Sequence, residues 1–291
     1  AGATPIERQE ITTSGYDFHD RAGVSTITSY NSKGEFVDKQ VITYVSYDKY
    51  GNVLDQTIAR TDALDAAIDY KVIVNTYAES VPARRGNATL SEITRYAGSG
   101  VDITKLIDYQ RIENKSFDDI GNITLQEISL EVGGTLARFT SIENSDISNY
   151  GDAATQKITT WSTDDSGVKL ATESSYQVIT NRGFDSDHNV LNQKVINYLD
   201  AGQVKPIVLD VQEIRNLSFD SRGNVLEQRI ATFTDTAEST LLDFKLIIND
   251  GYDALGNPEW TTIKKYRTSE ITGDPAIGGT NDGAIDTWAG F

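Results

Sequence analysis

The sequence predicts an all-β fold: about eight tandem antiparallel β-hairpins, sixteen strands, forming a curled or spiralling sheet, with a closed barrel or a sandwich as the alternative arrangements. Three observations predict it. One phrase recurs along the chain, its internal spacing is fixed while the spacing between copies drifts, and its centre carries the residues of a tight turn.

The phrase reads QVITYVSYDKYGNVLDQTI at 40–58, QRIENKSFDDIGNITLQEI at 110–128, QVITNRGFDSDHNVLNQKV at 177–195, QEIRNLSFDSRGNVLEQRI at 212–230 and KLIINDGYDALGNPEWTTI at 245–263. Degraded copies stand at 9–27, 71–93 and 140–158. The first isoleucines, Ile11, Ile42, Ile73, Ile112, Ile142, Ile179, Ile214 and Ile247, are 30 to 39 residues apart. Inside a copy an aromatic follows this anchor by five residues, a Gly by nine and a second Ile or Val by sixteen. Only the third copy breaks the spacing, with four extra residues before Gly86-Asn87. Rigid spacing within copies and loose spacing between them is the signature of hairpins joined by variable loops.

The D-x-x-G-N centre suits a type I turn closed by a left-handed residue. Asp48, Asp118, Asp220 and Asp253 occupy its first position, where a short carboxylate accepts nearby backbone N–H groups. Gly51, Gly121, Gly223 and Gly256 take the positive φ, each followed by its turn asparagine, Asn52, Asn122, Asn224 or Asn257. His188 stands in the glycine position of one copy, where modest strain is expected.

This turn sets a cross-strand register. Ile42 faces Ile58, Ile112 faces Ile128, Ile179 faces Val195, Ile214 faces Ile230 and Ile247 faces Ile263. The same register puts Asn114 opposite Gln126, Asn144 opposite Gln156, Asn181 opposite Gln193 and Asn216 opposite Gln228. It also joins Tyr70 to Tyr96, Phe139 to Trp161, Tyr176 to Tyr198 and Phe244 to Tyr266. Matched partners of this kind are worth roughly 0.2–1 kcal/mol per pair. With hairpins side by side, the amides are expected to form ladders and the isoleucines an apolar stripe across the sheet.

The phrase Y-D-x-x-G-N-x-x-x-Q resembles the YD (RHS) repeat of bacterial surface and toxin-complex proteins, over roughly residues 9–266. Tyr47-Asp48, Phe117-Asp118, Phe219-Asp220 and Tyr252-Asp253, each with its Gly-Asn, carry the resemblance. It implies long hairpin sheets that spiral, enclosing a cargo or displayed on the cell surface. Encapsulating members are far longer, and sixteen strands about 4.8 Å apart span only some 75 Å, so enclosure is not expected here.

Composition narrows the function classes. Acidic residues outnumber basic ones 43 to 26, for a net charge of −17. A field of that sign repels phosphate backbones, so nucleic acid is not an expected partner. No run is long enough for a membrane helix, and Lys115, Arg182, Arg215 and Asp250 midway along the strands exclude a lipid-facing barrel wall. The absence of Cys removes disulfides and thiolate metal sites. A start at Ala1 and the lack of any Met lead to the expectation of a processed, extracellular or cell-surface protein.

Groups that could do chemistry are sparse. His19 and His188 are the only histidines and both fall in or beside turns, and no phosphate loop or H-x-x-x-H spacing occurs. Asp164-Asp165, Asp185 with Asp187, Asp118-Asp119 and Asp282 with Asp286 are acid pairs of the kind glycoside hydrolysis uses, at a frequency chance explains. No catalytic residue, cofactor or metal site is therefore expected. Trp161, Tyr198 and Tyr266 are the candidate sugar-facing aromatics.

Residues 1–8 form an N-terminal segment, 9–266 one domain of eight repeats, and 267–291 a Gly-rich segment that is a candidate inter-subunit strand. The first and last copies keep their repeat residues instead of turning into polar caps, leaving sheet edges to be guarded by a neighbour. The expected function is a non-catalytic subunit of an extracellular bacterial filament or surface assembly, polymerising head to tail with itself. A glycan-binding surface adhesin is the alternative, and a secreted polysaccharide-acting enzyme the second.

Overall fold

The computed structural model of the chain describes residues 7–31, 33–78, 80–199, 207–252 and 256–266. Asp253 and the expected inter-subunit segment 267–291 lie outside the described residues. Among the described residues sixteen strands follow one another in a single sheet in chain order, hairpin after hairpin, and the order is linear.

The chain divides into two compact units, 1–143 with 160–172 and 144–159 with 173–291. The first holds four hairpins built from β1 (Glu7–Ser14), β2 (Val24–Asn31), β3 (Phe36–Tyr47), β4 (Val53–Asp62), β5 (Ala67–Thr76), β6 (Leu90–Ala97), β7 (Leu106–Phe117) and β8 (Ile123–Val132). A fifth hairpin, β9 (Thr135–Ile147) and β10 (Ala153–Ser162), gives residues to both units. The second unit holds three, from β11 (Ser175–Phe184), β12 (Val190–Tyr198), β13 (Val208–Phe219), β14 (Val225–Phe233), β15 (Leu241–Tyr252) and β16 (Pro258–Tyr266). The four residues inserted in the third copy fold into one helical turn, Val81–Arg84, where Pro82 occupies the first turn and needs no N–H.

Within hairpins the register is the expected one. Ile42 pairs with Ile58, Ile112 with Ile128, Ile179 with Val195, Ile214 with Ile230 and Ile247 with Ile263. The degraded copies obey it too, with Ile11 on Ile27 and Ile73 on Ile93. Ring centroids lie 5.6 Å apart for Phe139 and Trp161, 5.4 Å for Tyr176 and Tyr198, and 6.4 Å for Phe244 and Tyr266. Beside the turn a one-residue shift after Asn114 is undone by a second before Ile123, so paired bulges leave the register intact.

Between hairpins the register steps. Ile58 lies beside Lys71, Ile93 beside Gln110, Val195 beside Gln212 and Ile230 beside Lys245. Each second isoleucine thus meets the residue two places before the next anchor, and the stripe climbs diagonally instead of running straight across. The fully buried apolar cluster lies on the opposite face of the second unit: Val211, Ala231, Phe233, Phe244 and Leu246. Most isoleucine pairs are only half-buried.

The connections vary in length as expected, yet four of those described reuse the hairpin turn. Asn31 accepts the N–H groups of Lys33 and Glu35, each at 3.0 Å, and Asp62 those of Leu64 and Ala66 at 2.8 and 2.9 Å. Asp164 and Asp235 do the same for Ser166 with Val168 and for Ala237 with Ser239. The signal was present as N-x-x-G at Asn31 and D-x-x-G at Asp164, outside the repeated phrase.

Candidate functional site

The site built from the repeat is the joint between one hairpin and the next, and its first component is the turn. Asp118 Oδ1 accepts from Ile120 N at 3.1 Å and Asn122 N at 2.8 Å, while Oδ2 accepts from Asn122 Nδ2 at 2.9 Å. Asp48, Asp185 and Asp220 make the same three bonds within 2.8–2.9 Å. Burial raises the Asp48 and Asp118 carboxyls, but the bonds from Asn52, Asn122 and the turn N–H groups outweigh it and hold both below the usual carboxylate range. The first copy keeps this turn in altered residues: Asp17 accepts from Arg21 Nε at 2.7 Å, chiefly lowering its pKa to about 2, and Asp20 takes φ +59°.

The second component reaches backwards. Asn75, Asn114, Asn181, Asn216 and Asn249, each two residues past an anchor, donate Nδ2 to the carbonyls of Val53, Ala88, Ala153, Val190 and Val225 at 2.7–3.0 Å. Each acceptor lies in the preceding hairpin, just after its turn. The same Asn accepts through Oδ1 from Gln126, Gln193 or Gln228 in its own hairpin, at 2.6–2.8 Å. The amide row is therefore a relay from Gln to Asn to backbone, not the continuous side-chain ladder across the sheet expected from sequence. An Asn carbonyl already filled by Gln leaves its NH2 group to satisfy the neighbouring backbone. Tyr47 and Tyr252 add a second backward bond, their hydroxyls donating to Ala22 O at 2.5 Å and to Val225 O.

The third component reaches forwards from the turn. Asn52 Nδ2 donates to Ala83 O at 2.6 Å, Asn87 Nδ2 to Gly121 O at 2.8 Å, and Arg21 to Asp48 O at 3.1 Å. A Cβ on Gly223 would sit 2.7 Å from Asn189 Oδ1. Turn glycines thus serve the neighbouring hairpin as well as their own backbone, a role the sequence alone did not reveal. In the sixth copy the pair is exchanged: His188, at φ +65°, puts Nδ1 2.9 Å from Asp152 Oδ2.

The fourth component is electrostatic. On the isoleucine face of β3 to β7, acids and arginines line up as Asp38, Arg60, Asp69, Arg95 and Asp108. Arg60 pairs in register with Asp69 and lies 3.5 Å from Asp38, while Arg95 pairs with Asp108 at 3.1 Å through Nε. Asp38 is 0% exposed and has Arg60 3.5 Å away, whereas Asp69, 2% exposed, sits opposite Arg60 in the strand register with both carboxylate oxygens buried and without a hydrogen-bond partner among the described residues. The equivalent position recurs in the second unit as Asn197 Nδ2 donating to Asp210 at 2.6 Å, and as Lys265 2.7 Å from Asp243. On the other face, Glu213 is 1% exposed, 2.8 Å from Arg182 and 3.9 Å from Lys194, which also pairs with Glu238. Burial pushes the Glu213 carboxyl up to about 7, against the opposing pull of Arg182.

The candidate aromatics are half-buried. Trp161 packs on Phe139, with Lys169 Nζ 3.9 Å and 4.2 Å over the two rings. Tyr198 packs on Tyr176, and Tyr266 on the buried Phe244. His19 and His188 are exposed turn residues, and Asp118, Asp164 and Asp185 from the acid pairs are turn acceptors. Among the described residues no helix is long and apolar enough to cross a membrane.

At the two ends of the strand order the joint is half-made. Ile11 on β1 is 61% exposed and Ile263 on β16 is 59% exposed, whereas Ile42, Ile58, Ile112 and Ile128 are half-buried. Tyr16, at the position of the backward-bonding Tyr47 and Tyr252, is 58% exposed. No protein-family model and no curated protein matches the chain.

Proposed function

We propose that the chain is a non-catalytic structural subunit of an extracellular bacterial filament or surface assembly, built by head-to-tail contact of one copy with the next. The observation that carries this reading is the exposure of Ile11 and Ile263, repeat residues that inner hairpins cover with a neighbour. Among the described residues β1 and β16 each have one strand partner, so each is an edge strand of the kind that templates a further strand. Two different edges meeting make a heterologous contact, which grows into a linear array when the rotation does not close. The sequence resemblance to YD-repeat surface proteins agrees with it. Sedimentation and electron microscopy of the purified chain test it: concentration-dependent linear multimers are expected, and a monomer at high concentration with no fibres would refute it.

A further inference from the structure

We propose that the joint between copies repeats the joint between consecutive hairpins, with β16 of one copy pairing antiparallel with β1 of the next, Ile263 opposite Gln9 and Lys265 opposite Glu7. This rests on the head-to-tail reading and adds the register and the residues that make the contact.

The internal joints supply the rule. Six of them set the second isoleucine or valine of one hairpin beside the residue two places before the next anchor: Ile27 with Gln40, Ile58 with Lys71, Ile93 with Gln110, Ile128 with Thr140, Val195 with Gln212 and Ile230 with Lys245. The connecting segments differ in length, yet this offset does not. Side-chain bonds between neighbouring turns fix it, and such bonds do not require that the two hairpins be joined covalently at the far end. Applied to the last hairpin and the first, the offset places Ile263 beside Gln9 and Thr261 beside Ile11. That covers the two exposed isoleucines with the kind of neighbour they have inside.

Charge agrees. Two residues beyond the isoleucine three internal joints pair Arg60 with Asp69, Arg95 with Asp108 and Asn197 with Asp210, a donor on the outgoing strand and an acid on the incoming one, while the β8–β9 joint sets Leu130 beside Arg138. At the terminal strands those positions hold Lys265 and Glu7. Lys265 already lies 2.7 Å from Asp243 of its own hairpin, as Arg60 contacts Asp38 of its own, and only the acid of the following hairpin is missing. The backward hydroxyl agrees too. Tyr47 and Tyr252 donate to the carbonyl eleven residues past the preceding anchor, and for Tyr16 that carbonyl is Pro258 O of the neighbouring copy.

The chain contains no Cys, so introduced pairs report the register directly. The full chain carrying Gln9→Cys and Ile263→Cys, oxidised after assembly, should give a ladder of covalent multimers on a denaturing gel, because directly opposed strand residues have Cα atoms within disulfide reach. Thr12→Cys with Ile263→Cys, three residues out of register, should not. Lys265→Glu should weaken association about tenfold through like-charge contact with Glu7, and Glu7→Lys in the same chain should restore it. Tyr16→Phe should weaken association without changing the thermal midpoint of the dilute monomer, since Tyr16 is 58% exposed there. Wild-type chain that never associates overturns the head-to-tail reading itself. Association that persists with no Gln9–Ile263 cross-link, no response to Lys265→Glu and no rescue overturns this register alone.

Discussion

His188 Nδ1 lies 2.9 Å from Asp152 Oδ2 across the gap between two neighbouring hairpin turns. Elsewhere that gap is filled by an asparagine against a glycine, Asn52 on Gly86, Asn189 on Gly223 and Asn224 on Gly256. The two exceptional residues therefore compensate for each other. A histidine that crowds the left-handed position is met by an acid that accepts its ring N–H, and the side-chain contact offsets backbone strain of about 1–2 kcal/mol. Asp152→Ala is expected to destabilise the chain by about 1 kcal/mol. His188→Gly with Asp152→Asn, which recreates the common pair, should be at least as stable as the wild type. Urea denaturation of the two single variants and the double variant measures the coupling.

Glycine at a turn should matter most where a neighbouring asparagine leans on it. A Cβ on Gly51 meets open space, so Gly51→Ala carries only the left-handed cost of about 1 kcal/mol. Gly223→Ala carries that cost and also drives a methyl to 2.7 Å from Asn189 Oδ1, so a loss of about 2–3 kcal/mol is expected. Adding Asn189→Ala should recover part of the Gly223→Ala loss and none of the Gly51→Ala loss, which thermal melts of the four variants would resolve.

Arg60 lies on the strand between two that carry buried carboxylates. Arg60→Met removes the cation 3.5 Å from Asp38 and opposite Asp69, and a loss of about 3–5 kcal/mol is expected. Adding Asp38→Asn and Asp69→Asn should recover most of it, because the buried charge is then gone. If Arg60→Met alone is neutral by chemical denaturation, the row of alternating charges is not what holds β3 to β5 in place.

Acid and neutral pH should act in opposite directions. Glu213 titrates near 7 in the folded chain against an ordinary value of 4.5, so between these values the folded state binds the extra proton. Stability therefore rises as pH falls from 8 towards 5, by on the order of 3 kcal/mol at most for this one group. Asp17, Asp48, Asp118 and Asp185 are held below the ordinary carboxylate value, so their contribution is present above it and is lost as pH falls towards 2. A maximum in thermal midpoint near pH 5 is expected, and Glu213→Gln should flatten the side between 5 and 8 while leaving the acid side unchanged.

Removing the backward relay should loosen hairpins from one another more than it unfolds them. Asn114→Ala orphans the Ala88 carbonyl and the Gln126 amide together, at about 1–3 kcal/mol. Hydrogen exchange is expected to speed up along the β6–β7 seam first, with the β7–β8 pairing protected for longer.

Most of each hairpin was legible because its determinants are local. The first copy lacks both the Gly and the Asn of the turn, yet Asp17 and Asp20 rebuild it and Ile11 still meets Ile27. The connecting turns are harder to read although Asp62 and Asp164 carry the same acceptor chemistry, because Asp65 takes the left-handed position in place of Gly in one and neither lies in the repeated phrase. Arg60 with Asp69 and Glu213 with Arg182 had no sequence signal, since nothing in the local pattern marks a charged residue on a strand as buried.

Sequence by itself determined which residues face each other within a hairpin, because a two-position backbone alternation and a five-residue turn leave one register open to it. Only the tertiary structure decided what lies beside each hairpin: the diagonal step of the isoleucines, the carbonyls that Asn75, Asn114, Asn181, Asn216 and Asn249 reach, and the acids that Arg95 and Arg182 meet. Those contacts join groups that variable connections separate in the chain. Their energy depends on distance and burial, which spacing along a sequence does not encode.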